Sequence, residues 1–176
     1  MNIVLCGMMG AGKTTIGIKI AELTGRRWYD TDGMIVDRYG KISDIFEYYG
    51  EAHFRKLETE IVKELTVLDN LIISTGGGLV LKNENNMLLQ GNAKIVFLRA
   101  GFDTLVERLK VDGTRPLLQA STETIRDRLK RLLDERSPVY EQVADYIVDV
   151  DGKSPQVIAE EIVALVEKDG ACTGQV

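Results

Sequence analysis

Residues 7–15 read Gly-Met-Met-Gly-Ala-Gly-Lys-Thr-Thr and fit the pattern G-x-x-x-x-G-K-[ST]. This stretch constrains the fold more than any other, because the pattern works only between a strand and a helix. Both flanks suit it: Ile3-Val4-Leu5-Cys6 is apolar and β-leaning, and residues 16–23 are amphipathic. Between them the glycines let successive backbone N–H groups turn inward as an anion-binding nest. The helix N-terminus adds its partial positive charge. The amides of Gly10, Ala11, Gly12, Lys13, Thr14 and Thr15 would hold phosphate oxygens. Lys13 would reach the β- and γ-phosphates of a nucleoside triphosphate, and the Thr14 hydroxyl would ligate Mg²⁺. The bland alternative is a glycine turn that happens to contain Lys and Thr; the flanking strand and helix speak against it.

The remaining chain continues the alternation. Residues 26–30 read as a second strand. Residues 34–39, and a segment from Ile42 carrying Ile45, Phe46 and Tyr49, read as short helices stopped by Gly40 and Gly50. Over 51–68, Phe54, Leu57, Ile61 and Leu65 recur every three or four residues, the mark of an amphipathic helix. A buried strand at 71–75 ends in Gly76-Gly77-Gly78. A helix near 83–90, a strand over 93–98 and a helix over 103–110 follow. Polar, Gly and Pro content predicts a loop over 111–123, then a helix over 124–135 and a short one after Pro138. Residues 146–150 read as the last strand, 155–168 as the closing helix, and 169–176 as a flexible tail. Apolar strands alternating with helices predict an α/β fold: a five-stranded parallel sheet covered by helices on both faces, as one domain over 1–168.

Composition limits the partners. Hydrophobic residues at 44% and charged residues at 28% are ordinary for a globular chain of 176 residues. A net charge of −5 argues against a broad nucleic-acid interface, while leaving room for a local site that takes one small anion. Cys6 and Cys172 stand at opposite ends and form neither a metal-spaced cluster nor a disulfide framework; Cys6 reads as a buried thiol. No apolar run reaches membrane-spanning length, and the N-terminal apolar stretch is too short for a signal peptide. The expectation is a soluble cytoplasmic monomer with no nucleic-acid or membrane partner.

In parallel α/β sheets, ligands sit beyond the carboxyl ends of the strands. That directs attention to Asp30 and Asp32, Gly76 to Gly78, Arg99 and the loop after Val150. Asp30 and Asp32 could face one pocket, one binding metal-coordinated water and the other accepting the proton of, or orienting, an attacking hydroxyl. Solvated turn acids remain the alternative. Asp30 to Gly33 also fits the D-x-x-G of GTPases. It follows the phosphate loop too soon, and the chain has no N-K-x-D. Arg55 and Glu58 share a helix face at i, i+3, either as a surface ion pair or as a guanidinium held to fork onto a carboxylate. Three glycines after a buried strand suggest close backbone approach to a ligand, with a flexible turn as the alternative. Arg115 sits in the 111–123 loop, placed for a lid that brings a cation onto a phosphoryl group. Arg136, at the end of the following helix, could instead simply favour the helix dipole. His53, the single histidine, reads as an exposed helix residue.

Taken together these stretches resemble the shikimate kinases of the aromatic amino-acid pathway. The resemblance is carried by the phosphate loop, Tyr29-Asp30-Thr31-Asp32, Ile45-Phe46, Gly50-Glu51-Ala52-His53-Phe54-Arg55-Lys56-Leu57-Glu58 and Thr75-Gly76-Gly77-Gly78. Arg115-Pro116-Leu117-Leu118 and Glu135-Arg136-Ser137-Pro138-Val139-Tyr140, with Ala144-Asp145, complete the set. It implies a kinase with a lid near 111–123 and a helical substrate-binding region near 32–61, transferring the γ-phosphoryl group of ATP to the 3-hydroxyl of shikimate with Mg²⁺. On the matching positions, Lys13 and the loop amides would hold ATP, with Thr14 on the metal and Asp30 on its water shell. Asp32 would bind shikimate hydroxyls and serve as base or orienter. Arg55 and Arg136 would clamp the carboxylate, Glu58 would orient Arg55, Gly76 to Gly78 would meet the substrate, with Gly77 in contact, and Phe46 and Phe54 would wall the site. Arg115 would act on ATP from the lid, and Arg108 and residues 152–155 would lie near adenine. Departures are small: Val139 stands where leucine is common, and residues 151–155 are generic.

Two rivals stand beside this reading. One is a gluconate or nucleoside monophosphate kinase of the same architecture, against which the Arg55, Gly76–Gly78 and Arg136 set speaks. The other is a non-catalytic nucleotide-binding regulator, against which the full complement of Lys13, Thr14, Asp30, Asp32, Arg55, Arg115 and Arg136 speaks.

Overall fold

The computed structural model describes residues 1–111 and 124–172, apart from the side chains of 111 and 169–172. The expected alternation is present. Strand β1 (Asn2–Cys6) leads to α1 (Lys13–Thr24), then β2 (Arg27–Asp30), α2 (Thr31–Tyr39) and α3 (Ile42–Thr66). Strand β3 (Leu71–Ser74) is followed by a 3₁₀ turn (Leu79–Leu81), α4 (Asn83–Gln90), β4 (Ala93–Arg99) and α5 (Phe102–Val111). Helix α6 (Ile125–Val143), β5 (Tyr146–Asp149) and α7 (Pro155–Cys172) complete the chain.

The five strands form one parallel sheet in the order β2-β3-β1-β4-β5. Successive side chains of a strand point to opposite faces, so the unbroken burial of every residue in β1 and β3 means that both faces are covered there. The edge strands β2 and β5 are only partly buried. After β1 the chain builds β2 and β3 on one side, then crosses to β4 and β5 on the other. The strand order therefore reverses at β1, and the crevice this creates lies above the phosphate loop. Helix α1 packs on α7, α3 on α2 and α4, and α5 on α6. Ile3, Val4, Leu5, Ile72, Ile95 and Val96 form the centre of the core.

At Gly50, φ of 79° and ψ of 168° break α3 into two helices that meet at a kink, the stop that was expected there. Two other local expectations differ from the structure. Pro138 does not divide the second half into two helices but lies inside α6. Proline removes one backbone donor and crowds the preceding turn. Burial of Leu129 and Tyr140 on either side of it holds the helix against the core and offsets that local cost. Helix α7 runs on to Cys172, past the expected end at Lys168. Burial pushes the Cys6 thiol up to about 12, which fits the expected inert core residue.

Candidate active site

The phosphate loop joins β1 to α1 through Gly7, Gly10 and Gly12, which adopt φ values of 136°, 82° and 99°. Side chains rarely adopt such backbone, and the glycines are what let the loop wrap its amides around an anion. Lys13 Nζ donates to the carbonyl oxygens of Gly7 and Met8, each at 2.9 Å, so the ammonium is held over the mouth of the loop. Arg108, from α5, donates to the Gly10 and Ala11 carbonyls at 3.0 and 3.2 Å and braces the outer turn.

A cavity of about 440 Å³ opens beyond the loop. Gly10, Gly12, Lys13, Thr14, Thr15, Asp30, Asp32, Gly76, Gly77 and Arg108 all line it. Lys153 and Pro155 line it too, so the loop after β5 borders the same cavity as the phosphate loop. Asp30 ends β2 and caps α2: its Oδ1 accepts the N–H groups of Asp32 and Gly33, both at 3.1 Å. Its other oxygen accepts the Thr14 hydroxyl at 2.8 Å. A hydroxyl and a carboxylate oxygen are thus paired beside Lys13, the hard oxygen donors that suit Mg²⁺. Among the described residues no three His, Cys, Asp or Glu side chains gather into a metal cage.

The three glycines after β3 each abut a different chemistry-bearing side chain. A Cβ on Gly76 would collide with the Asp32 carboxylate, and one on Gly78 would lie 2.6 Å from Arg55 Nη2. A Cβ on Gly77 would lie 3.6 Å from Arg136 Nη1. At 76 and 78 the side chains of α2 and α3 occupy the space a Cβ would take, so a larger residue there would have to displace Asp32 or Arg55.

Arg55 is held from both sides. Its Nη1 donates to Glu58 Oε2 at 2.7 Å and its Nη2 to Glu51 Oε1 at 2.9 Å. Its guanidinium carbon also lies 5.4 Å from the centre of the Phe54 ring, which in turn meets Phe46 at 4.9 Å. Glu58 is 1% exposed. Burial pushes its carboxyl up to about 7 against the opposing pull of Arg55, with Asp32 and Glu51 adding to the rise. Burial also lowers the Arg55 pKa, but Glu58 and Glu51 outweigh it, so Arg55 stays charged.

His53 is exposed and lies beside the Tyr49 ring at 5.1 Å between centres. Arg99 pairs with Asp149 across the exposed ends of β4 and β5. Arg115 and the stretch 112–123, most of the expected lid, lie outside the described residues. Two structural partners were not legible as such in the sequence. Buried Thr31 accepts the Gly76 N–H at 2.9 Å, and Tyr140 donates to the Gly77 carbonyl at 2.5 Å. Both sit inside the motifs quoted above; no spacing rule shows that either would reach the glycine run.

Comparison with known proteins agrees with this geometry. A family model described as shikimate kinase matches residues 9–167. The chain is 42% identical over 165 residues to the shikimate kinase of Caldicellulosiruptor bescii, covering 93% of this chain and 94% of that protein. It superposes with a TM-score of 0.89 on the shikimate kinase from Acinetobacter baumannii solved in complex with shikimate, at 37% identity over 96% of this chain and 93% of that one. A gluconokinase from Sinorhizobium meliloti shares the fold alone, at 17% identity and a TM-score of 0.64 over 99% and 97% of the two chains. The chain belongs to the shikimate kinase family.

Proposed function

We propose that this protein transfers the γ-phosphoryl group of ATP to the 3-hydroxyl of shikimate, releasing ADP and shikimate 3-phosphate. The observation that carries this reading is the convergence of Asp32, Arg55 and Arg136 on Gly76 to Gly78. That cluster adjoins the cavity lined by Lys13, Thr14 and Asp30. An acidic group for hydroxyls and two guanidiniums for a carboxylate meet beside a phosphate nest. Guanidiniums suit this task because their planar fork engages a carboxylate bidentately.

Each residue then has a task. The loop amides and Lys13 hold the β- and γ-phosphates and draw charge toward the leaving oxygen. Thr14 and, through water, Asp30 would hold Mg²⁺, which when bound would supply neutralisation of charge on the phosphates. Arg55 and Arg136 take the shikimate carboxylate, with Glu58 and Glu51 fixing the angle of Arg55. The Phe46 and Phe54 rings wall the site and exclude water. Asp32 engages the acceptor hydroxyl. As that oxygen bonds to the γ-phosphorus, the bond to the β–γ bridging oxygen breaks, and the hydroxyl proton passes to Asp32. In a loose transition state that transfer comes late, so orientation by Asp32 matters as much as its basicity. Arg115 is assigned to the transferring phosphoryl group and Arg108 to the adenine side, on the family resemblance. A cytoplasmic monomer suits the reading; among the described residues no helix is long and apolar enough to cross a membrane.

ADP formation from Mg·ATP with and without shikimate tests the proposal, with gluconate and AMP as competing acceptors. Shikimate-dependent ADP supports it. Robust phosphorylation of gluconate or AMP in preference to shikimate overturns it.

A further inference from the structure

Helix α6 reaches the glycine run at two successive turns. Arg136 approaches Gly77 from one turn. One turn later Tyr140, with 0% exposure, donates its hydroxyl to the Gly77 carbonyl at 2.5 Å. The same hydroxyl lies 3.7 Å from Met8 Sδ at the start of the phosphate loop. The ring meets Phe97 of β4 at 5.1 Å between centres. Apolar packing would be served equally well by phenylalanine. A buried hydroxyl costs free energy unless partnered, and here it donates to one particular peptide and also interacts with the Arg136 side chain of its own helix.

That peptide lies within three consecutive residues lacking a Cβ, the chain with the widest backbone freedom. Its neighbours are anchored otherwise: the Gly76 N–H by Thr31, and the Gly76 carbonyl by the Leu79 N–H at 3.3 Å. The central carbonyl is anchored from α6. Because a peptide is planar, fixing the Gly77 oxygen also fixes the Gly78 N–H, the residue against which Arg55 lies. Burial pushes the phenol up to about 12, opposed by the neighbouring Arg136, so the hydroxyl keeps its proton over the working pH range.

We propose that Tyr140 is a positioning residue for the acceptor site: its hydroxyl locks the Gly77–Gly78 peptide and ties it to the helix that carries Arg136. The two guanidiniums thereby keep a fixed separation before shikimate arrives, which lowers the ordering cost of binding. This rests on the shikimate kinase reading given above.

Tyr140→Phe keeps the ring and removes the donor. Calorimetry should give a shikimate Kd weaker by roughly tenfold, the cost of one buried carbonyl left unpaired. KM for shikimate should rise in parallel while KM for ATP stays within about twofold. Phe97→Leu, which disturbs the ring packing and leaves the hydrogen bond, should lower Tm without changing shikimate affinity. A Tyr140→Phe enzyme whose shikimate Kd lies within about twofold of wild type overturns the proposal. So does a Phe97→Leu enzyme that loses shikimate affinity to the same degree, since packing would then be the cause. In both cases the wild type still turns over shikimate and the proposed function stands; a wild type with no shikimate-dependent ADP formation overturns both.

Discussion

Glu58 accepts a 2.7 Å hydrogen bond from Arg55 while only 1% exposed, so the carboxylate that holds the Arg55 guanidinium is itself almost out of water. Burial is the largest influence on it and raises its pKa from 4.5 to about 7; Arg55 acts in the opposite direction. The fold therefore holds this proton more tightly than the unfolded chain does. Between pH 4.5 and about 7 the folded state binds more protons, and stability falls as pH rises through that window. The same window governs Arg55, which loses one of its two charged partners once Glu58 is protonated and keeps only the exposed Glu51. KM for shikimate is expected to rise as pH falls below about 7, and Glu58→Gln to flatten that profile. A wild-type KM that is constant from pH 5.5 to 8 would remove Glu58 from the orienting role.

Gly78 and Gly76 provide a steric test. Gly78→Ala would drive a methyl group into the Arg55 guanidinium, and Gly76→Ala would drive one into the Asp32 carboxylate. The first should chiefly raise KM for shikimate and the second chiefly lower kcat, each by roughly tenfold or more. Steady-state kinetics on both variants would check the division; identical effects on the two constants would contradict it.

Asp32→Asn should lower kcat strongly while leaving ATP binding nearly intact. The amide keeps the shape but accepts no proton from the acceptor hydroxyl. Nucleotide titration alongside turnover measures both, and an unchanged kcat would exclude Asp32 from the mechanism.

Arg136→Ala should weaken shikimate binding by about 2–4 kcal/mol if the carboxylate is desolvated against it. Calorimetric titration reads this directly. Normal affinity would undo the two-arginine clamp.

Asp30 caps α2, and one substitution separates that observed role from the metal role proposed for it. Asp30→Asn keeps a side-chain oxygen able to cap α2 for Asp32 and Gly33, so Tm should hardly move. The lost charge should raise the Mg²⁺ concentration needed for half-maximal turnover. A large fall in Tm with unchanged metal dependence would reverse the assignment.

The sequence by itself determined the local elements and the chemistry they carry. The phosphate loop could be placed because its pattern requires strand, glycine turn and helix in succession, all within one short stretch. The i, i+3 spacing of Arg55 and Glu58 likewise sufficed to pair them on one helix face, since helical geometry is local. Gly76 to Gly78 marked close approach without saying to what. The tertiary structure decided the partners: Asp32 at Gly76, Arg136 at Gly77 and Arg55 at Gly78, brought from three different helices. It also decided the strand order that puts β1 at the reversal point, the continuity of α6 through Pro138, and the buried bonds of Thr31 and Tyr140. Thr31 and Gly76 lie 45 residues apart, and Tyr140 and Gly77 lie 63 apart. No periodicity encodes a contact at such separation; it forms only when the hydrophobic faces of separate elements are buried against one sheet, and that packing sets where each polar group ends.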